Sequence, residues 1–479
     1  MATEIPQNWA PFSQAEIIAS TSATLIGQSP LSSCVGVISD SRGDVTGKLF
    51  VALSGERFDG HQYAEEVLAR GAYGVVVERD LSGEPPGLVF TVPSTLRALA
   101  NLALWHRRRW GKTVVTIGGS AGKTTTRAAV QAFLSALLPG RVCGTVGNLN
   151  NLVGVPMTLL AIQPQHEIAV VEVGTNQRGE VERLSECCEA NVALLTCIGL
   201  EHSEGLGDLD GVEAEEGAIF HHLAAGACLV GLGDDARVRR QMELGSLGAR
   251  CWFYGKSADG THQILRRTTL NRERTELEIA RKWRARPDTL TLHTRLLGLP
   301  GALASTAAVA VADALDIPVE GSKALSALDR EVGETGRLRI LERTDRALVI
   351  DDCYNANPVS MRSSIEVARE IALAEDRRIV FVLGDMRELG QLSAHEHACL
   401  AEELDGAVQV FAIGPEMEHL ARRVEQRGQK VRHFSDAESA ISSVRAAIGP
   451  KDVVLVKGSR GIKLERVVAA ITGGGGNSP

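Results

Sequence analysis

The sequence predicts an α/β protein of three domains: a central doubly wound parallel sheet with a phosphate loop, a smaller N-terminal α/β domain and a Rossmann-like C-terminal α/β domain. Three observations predict it. A length of 479 residues with 44% apolar content suits about three buried cores. Short β-branched apolar runs alternate with helix-length segments. One run, Thr113-Val-Val-Thr-Ile117, breaks into Gly118-Gly-Ser-Ala-Gly-Lys-Thr-Thr-Thr126, which reads as a strand, a tight loop and a helix start. The expected divisions are residues 1–110, 111–328 and 329–479.

The glycine loop carries the chemistry. Gly118, Gly119 and Gly122 let the backbone turn and aim N–H groups at phosphate oxygens, and the helix beginning near Lys123 adds its positive end. Lys123 suits the β- and γ-phosphates, and Thr124 suits Mg²⁺. The spacing departs from G-x-x-x-x-G-K-[ST] because Ile117 stands five before Gly122. An ordinary Gly-rich turn is the competing reading. The loop points to a bound nucleoside triphosphate without saying what is done with it.

In the first section, residues 13–20 read as a capped helix, residues 35–39, 49–53, 73–78 and 88–92 as strands, and residues 63–70 as a helix. Two polar loops, residues 39–42 and 57–61, are either turns or a ligand site. The basic knot His106-Arg-Arg-Arg-Trp110 reads as a solvated helix end beside a domain boundary, with an anion site as the alternative. In the second section, residues 124–137 and 301–315 read as helices and residues 168–173 and 192–198 as strands. Ligands lie beyond the carboxyl ends of such strands, which singles out Glu172 and His202. A carboxylate ending an apolar strand is costly unless it pairs or binds a cation, so Glu172 is a Mg²⁺ candidate. His202 alone reads as a hydrogen-bonded loop histidine. In the third section, strands at residues 347–352, 379–383, 408–413 and 453–456 each exit into a polar loop, with a helix from about residue 360, so this domain also has a functional edge.

A net charge of −8 argues against nucleic-acid and anionic-membrane partners. No apolar run approaches the roughly 20 residues that span a bilayer, and the expected location is the cytoplasm. Nine scattered cysteines without a C-x-x-C pair read as buried or incidental thiols. The tail from Gly473 to Pro479 is too polar to order itself.

Taken together, the loops resemble the Mur ligases. They are Asp40-Ser-Arg42, Phe50-Val-Ala-Leu-Ser-Gly-Glu-Arg-Phe-Asp-Gly-His61, Gly119 to Thr126, Gly147-Asn-Leu-Asn-Asn151 with Gly154-Val-Pro156, and Glu172-Val-Gly174. Further on come Ile198-Gly199 with His202, Asp351-Asp-Cys-Tyr-Asn-Ala-Asn-Pro358, Leu383-Gly-Asp-Met-Arg-Glu-Leu-Gly390 and Lys457-Gly-Ser-Arg460. The forms at residues 148–151 and 354–358 are similar to the branch that joins D-alanyl-D-alanine to UDP-N-acetylmuramoyl tripeptide with ATP and Mg²⁺ in peptidoglycan synthesis. The resemblance implies a cytoplasmic monomer whose partners are those small molecules. It implies a UDP-substrate site at Ser39, Ser41, Arg42, Arg57, Asp59, Gly60, His61, Asn148, Asn150 and Asn151. It implies an ATP site at Gly119, Ser120, Ala121, Gly122, Lys123, Thr124 and Thr125, with Arg337, Asp352, Tyr354 and Asn355 closing over the nucleotide. One Mg²⁺ is implied on Thr124 and Glu172 and a second on His202, while loops around Asp385 and Ser459 admit the dipeptide. Lys123, Glu172, His202 and Glu216 are the implied catalytic set, and residues 325–334 the hinge of a closing motion that keeps water from an acyl phosphate.

Three departures from the family pattern bear on this. Glu216 stands where the family carries a lysine that forms a carbamate at the second metal. Glutamate supplies two hard oxygens without CO₂, on a stem about three atoms shorter. The expectation is that Glu216, with Glu215 beside it, is a permanent substitute; a solvated helix face is the alternative. Pro300, Gly301 and Ala304 stand where G-x-H-N-x-x-N is usual, so no side chain there reads adenine. Glu201 precedes His202 in place of a small residue and adds a carboxylate near the metals. A ligase with another acceptor and a nucleotide-binding relative without turnover are the alternatives.

Overall fold

The computed structural model describes residues 5–473 apart from 56–57, 82–85, 246–247, 284–286, 322 and 331–335, and apart from the side chain of Asn271. Three principal sheets follow one another along the chain. The first orders its strands Thr24–Ile26, Leu88–Thr91, Gly74–Val77, Leu49–Val51 and Val37–Ile38. Beside it lies the helix Gln14–Thr21, whose capping box at Ser13 and Glu16 satisfies the orphan N–H groups of its first turn. The third sheet runs Arg339–Glu342, Leu348–Asp352, Asp452–Lys457, Arg378–Gly384, Ala407–Ile413 and Val431–Phe434, parallel except at its first edge.

The central sheet has nine strands, beginning Val142–Gly144, Ile168–Glu172, Thr113–Gly118, Ala190–Leu195, Leu223–Leu232 and Arg250–Gly255. Those six are parallel, as expected. This is the doubly wound parallel sheet expected, and beyond it His262–Asn271, Arg274–Arg281 and Asp288–Thr294 extend the sheet with two antiparallel pairings. The reason lies in the chain: a two-residue turn at Arg272 and Glu273 joins strands with alternating burial, and no crossover helix is available there. The alanine-rich helix Gly298–Ala314, buried along nearly its whole length, packs against the helix Lys123–Leu137 and covers these strands.

The knot at residues 106–110 is not a solvated helix end. The helix Thr95–Trp110 lies between the first two sheets, and its last turn bolts them together. Arg107 is buried and donates to the carbonyls of Cys188 (3.0 Å) and Glu189 (2.9 Å) and to Asn191 Oδ1 (3.0 Å), which also accepts from Val114 N–H. His106 donates Nε2–H to Ile162 O at 3.0 Å, and Trp110 donates to His166 O at 3.1 Å. Basic side chains at a helix end satisfy orphan carbonyls of the neighbouring lobe, which composition alone cannot distinguish from hydration. The expected hinge is described only in part: residues 331–335 lie outside the described residues, and Lys323–Asp329 is a 3₁₀ turn whose Ala324, Ala327 and Leu328 are buried. The expected tail lies outside them beyond Gly473. All nine cysteines are free thiols, and none is fully exposed. No helix among the described residues is long and apolar enough to cross a membrane.

Truncating Arg107 leaves buried carbonyls unpaired. Arg107→Ala is expected to lower unfolding free energy by about 2–3 kcal/mol in equilibrium urea denaturation, whereas Arg108→Ala, whose partner Glu189 lies at the surface, should change it by less than about 1 kcal/mol.

Candidate active site

The phosphate loop forms as its glycines require. Gly119 sits at φ +116°, where an added Cβ would lie 2.2 Å from Thr196 Oγ1, and Gly122 sits at φ +83°. Thr196 Oγ1–H lies within reach of Gly118 O (3.0 Å) and Ala121 O (2.7 Å), and Ser120 Oγ accepts from Gly199 N–H (2.9 Å). The loop is thus clamped against the exit of the adjacent strand. Thr124 donates to Glu172 Oε1 at 3.0 Å, and Asn150 Nδ2 donates to the same oxygen at 2.9 Å. Glu172 Oε2 has no hydrogen-bond partner among the described residues, with Arg127 Nε 3.7 Å away.

Lys123 stands between two buried carboxylates, 3.5 Å from Glu201 and 3.6 Å from Glu216. Burial alone pushes its ammonium down, but Glu201, Glu216 and Glu172 outweigh that and hold it above the usual lysine range. One lysine does not neutralise both neighbours. Burial and the nearby Glu216 push the Glu201 carboxyl well up, against the pull of Lys123. Glu216 is fully buried, accepts Gly119 N–H at 2.7 Å on Oε2, and leaves Oε1 without a hydrogen bond. The solvated-face alternative for this helix, Leu209–Gly217, is therefore corrected. So is the pairing of Glu215 with Glu216: Glu215 accepts from Thr175, Gly179 N–H and Val181 N–H, and caps the helix Glu180–Cys188.

His202, in the left-handed region at φ +47°, points Nε2 toward Glu201 at 3.9 Å and bonds Glu388 through Nδ1. That bond holds the Glu388 carboxyl below its ordinary value. Across from it lies a polar cleft of about 320 Å³ between the central and third lobes, lined by Asn148, His202, Tyr354, Asn355, Arg387 and Arg460, among others. Arg337 and Arg460 lie 4.3 and 5.3 Å from the centre of the Tyr354 ring. Asn357 Nδ2 donates to Ser120 O at 3.0 Å, joining the third lobe to the phosphate loop directly. Asp352 faces inward instead: it accepts from Leu338 N–H (3.1 Å), Ser364 (2.5 Å) and Lys457 (2.6 Å), so it holds the base of the cleft.

The expected substrate residues divide. Asn148 lines the cleft, whereas Asn150 binds Glu172 and Asn151 Oδ1 caps the helix Gly154–Leu160. His61 is buried, with Nε2 accepting from Glu78 N–H (2.9 Å); its proton is thus on Nδ1, facing Asp59 at 2.7 Å. Arg79, then His61, hold the Asp59 carboxyl low. Gly60 is buried, and its Cβ would clash with the Leu53 backbone. Arg42 is largely exposed and pairs with Asp40, beside Ser39 and Ser41. None of these first-lobe residues lines the cleft described above. Arg57 lies outside the described residues. Arg387, Glu388 and Lys457 were missed as site residues although their motifs were legible, because nothing in a sequence says which lobe a loop faces.

Among the described residues, no three His, Cys, Asp or Glu side chains form a metal cage. The buried oxygens of Glu172, Glu201 and Glu216 that accept no hydrogen bond nevertheless fit Mg²⁺, which takes one or two carboxylates and completes its shell with water and phosphate. A phosphate loop facing a second α/β lobe across a polar, charge-lined cleft defines a two-lobed nucleotide-using site, and a ligase is the class that its relatives supply. The comparisons agree. The Mur ligase middle domain matches residues 117–312, and the Mur ligase glutamate ligase domain matches residues 336–460. The UDP-N-acetylmuramoyl-tripeptide–D-alanyl-D-alanine ligases of Escherichia coli and Bacillus subtilis are 33% and 31% identical, over 91% and 90% of this chain and 93% and 92% of theirs. MurF of Acinetobacter baumannii superposes with TM-score 0.86 at 28% identity over 99% of this chain and 100% of that one. MurF ligase of Thermotoga maritima in complex with ADP gives 0.79 at 27% identity, over 91% and 97%. The chain belongs to the Mur ligase family.

Asp385 accepts Met417 N–H at 3.0 Å and is pushed up to about 6, first by burial and then by Glu416. Its folded value exceeds the ordinary one, so the folded state holds this proton more tightly. The stability it contributes is full below about pH 4 and falls as pH rises toward 6. Asp385→Asn is expected to flatten that part of the stability–pH curve, measured by thermal unfolding.

Proposed function

We propose that this protein is the ATP-dependent ligase that joins D-alanyl-D-alanine to UDP-N-acetylmuramoyl tripeptide in peptidoglycan synthesis, the activity named for relatives that match nearly its whole length. The observation that carries the reading at atomic level is Lys123, held charged beneath a phosphate loop whose seam with the third lobe is an open polar cleft. Residues 1–110 hold the UDP-substrate, residues 111–328 the nucleotide, and residues 329–479 the dipeptide.

ATP supplies the phosphoryl group that activates the tripeptide carboxylate as an acyl phosphate, and the dipeptide amine then displaces phosphate. Attack of one anion on another needs positive charge on the transferring group. Lys123 and the loop N–H groups from Gly119 to Thr124 supply part of it. Thr124 with Glu172, and His202 with Glu216, would hold Mg²⁺, which would supply the remaining positive charge. Glu216 does the work of the family's carbamate, supported by its full burial and by an Oε1 that accepts no hydrogen bond and faces Lys123 at 3.6 Å. Arg387 and Arg460, which line the cleft, orient the dipeptide by its terminal carboxylate and leave its amine toward the acyl carbon. Docking of the third lobe excludes water from the acyl phosphate.

Phosphate release is expected only when ATP, Mg²⁺, UDP-muramoyl tripeptide and D-alanyl-D-alanine are all present, and omission of any one should bring it to background. Release with a different amine and not with the dipeptide would favour another acceptor. Glu216→Ala is expected to lower turnover by at least about 100-fold, a loss of the size that follows removal of one charge-stabilising group. Bicarbonate should leave the wild-type rate unchanged; activation by bicarbonate would place a carbamate elsewhere.

A further inference from the structure

The motif Leu383-Gly-Asp-Met-Arg-Glu-Leu-Gly390 exits a strand of the third sheet, yet its glutamate reaches the central lobe. His202 Nδ1 bonds Glu388 Oε2. A carboxylate only accepts, so an Nδ1 proton faces Glu388, and Nε2 is turned toward Glu201, 3.9 Å away. The backbones dock as well: Glu204 N–H donates to Glu388 O at 3.3 Å, and Gly390, at φ +51°, leaves only 3.4 Å for a Cβ against Glu204 Cγ. Both His202 (φ +47°) and Glu388 (φ +65°) occupy the left-handed region, a strain that non-glycine residues carry mainly where neighbouring structure imposes it. The two strained loops belong to different sheets and touch only while the lobes abut.

We propose that Glu388 is a positioning residue for His202, fixing the ring's tautomer and aim across the lobe boundary, so that the second cation site is complete only when the third lobe is docked. This rests on the reading that His202 takes a divalent cation. A carboxylate behind a metal-binding histidine raises its basicity and fixes its orientation. Here that support comes from the moving lobe, which couples cation capture to closure.

The test is a Mn²⁺ titration followed by electron paramagnetic resonance, with a non-hydrolysable ATP analogue and UDP-muramoyl tripeptide bound. Wild-type protein should show two Mn²⁺ sites, the weaker with nitrogen coupling from an imidazole. Glu388→Ala is expected to weaken that site about tenfold or more and to reduce the coupling, with the tighter site unchanged. Glu388→Gln, nearly isosteric and still able to accept from Nδ1–H, should stay within about threefold of wild type and keeps the test valid if the alanine variant folds poorly. Unchanged affinity and coupling in the alanine variant would overturn the proposal. Absence of nitrogen coupling in the wild type would remove the premise about His202, while phosphate release judges the ligase reading separately.

Discussion

A single buried lysine sets the terms for the rest of the site. Lys123 is enclosed at the start of a helix, between Glu201 and Glu216, and none of these charges could be buried without the others. The helix Leu209–Gly217 makes the arrangement possible by giving three acids three different tasks. Glu213 pairs with Arg237 and Arg240 at the surface side, Glu215 caps the neighbouring helix, and Glu216 reaches the phosphate loop. Two anchored acids thus hold the third in place, and the loop N–H that it occupies is a group an incoming phosphate also seeks.

Function then depends on seams between lobes. The first seam is fixed: Arg107 and His106 satisfy carbonyls of the central lobe, so the first two sheets behave as one body. The second includes polar contacts, among them Asn357 to Ser120, Glu388 to His202, Glu204 N–H to Glu388 O and the ion pairs of Arg267 with Glu370 and Arg272 with Glu342. Such contacts are screened, half-exposed and reversible. A permanent joint on one side and a breakable one on the other suit an enzyme that must admit substrates and then shut out water.

The helices and strands around the site were legible because burial imposes a period on the chain. The strand Ile168–Glu172 is apolar up to its last residue and Leu348–Asp352 up to its last two, and a glycine-rich break before Lys123 has few structural meanings. The strands Arg274–Arg281 and Asp288–Thr294 also alternate, but with Arg, Glu and Thr on the outer face the period is weaker in the sequence. Their inner face became visible only once the helix Gly298–Ala314 was seen to cover it.

By itself, the sequence determined the α/β class, the phosphate loop, Glu172 at a strand's exit, and the likeness to the Mur ligases, since all of these are local patterns. Tertiary structure alone decided that Arg107 is a buried bolt, that Asp352 faces inward to Lys457, that Glu215 caps a helix while Glu216 faces Lys123, and that Glu388 meets His202. The physical reason is that a charged side chain takes its role from the partner that permits its burial, and those partners lie tens to hundreds of residues away in the chain.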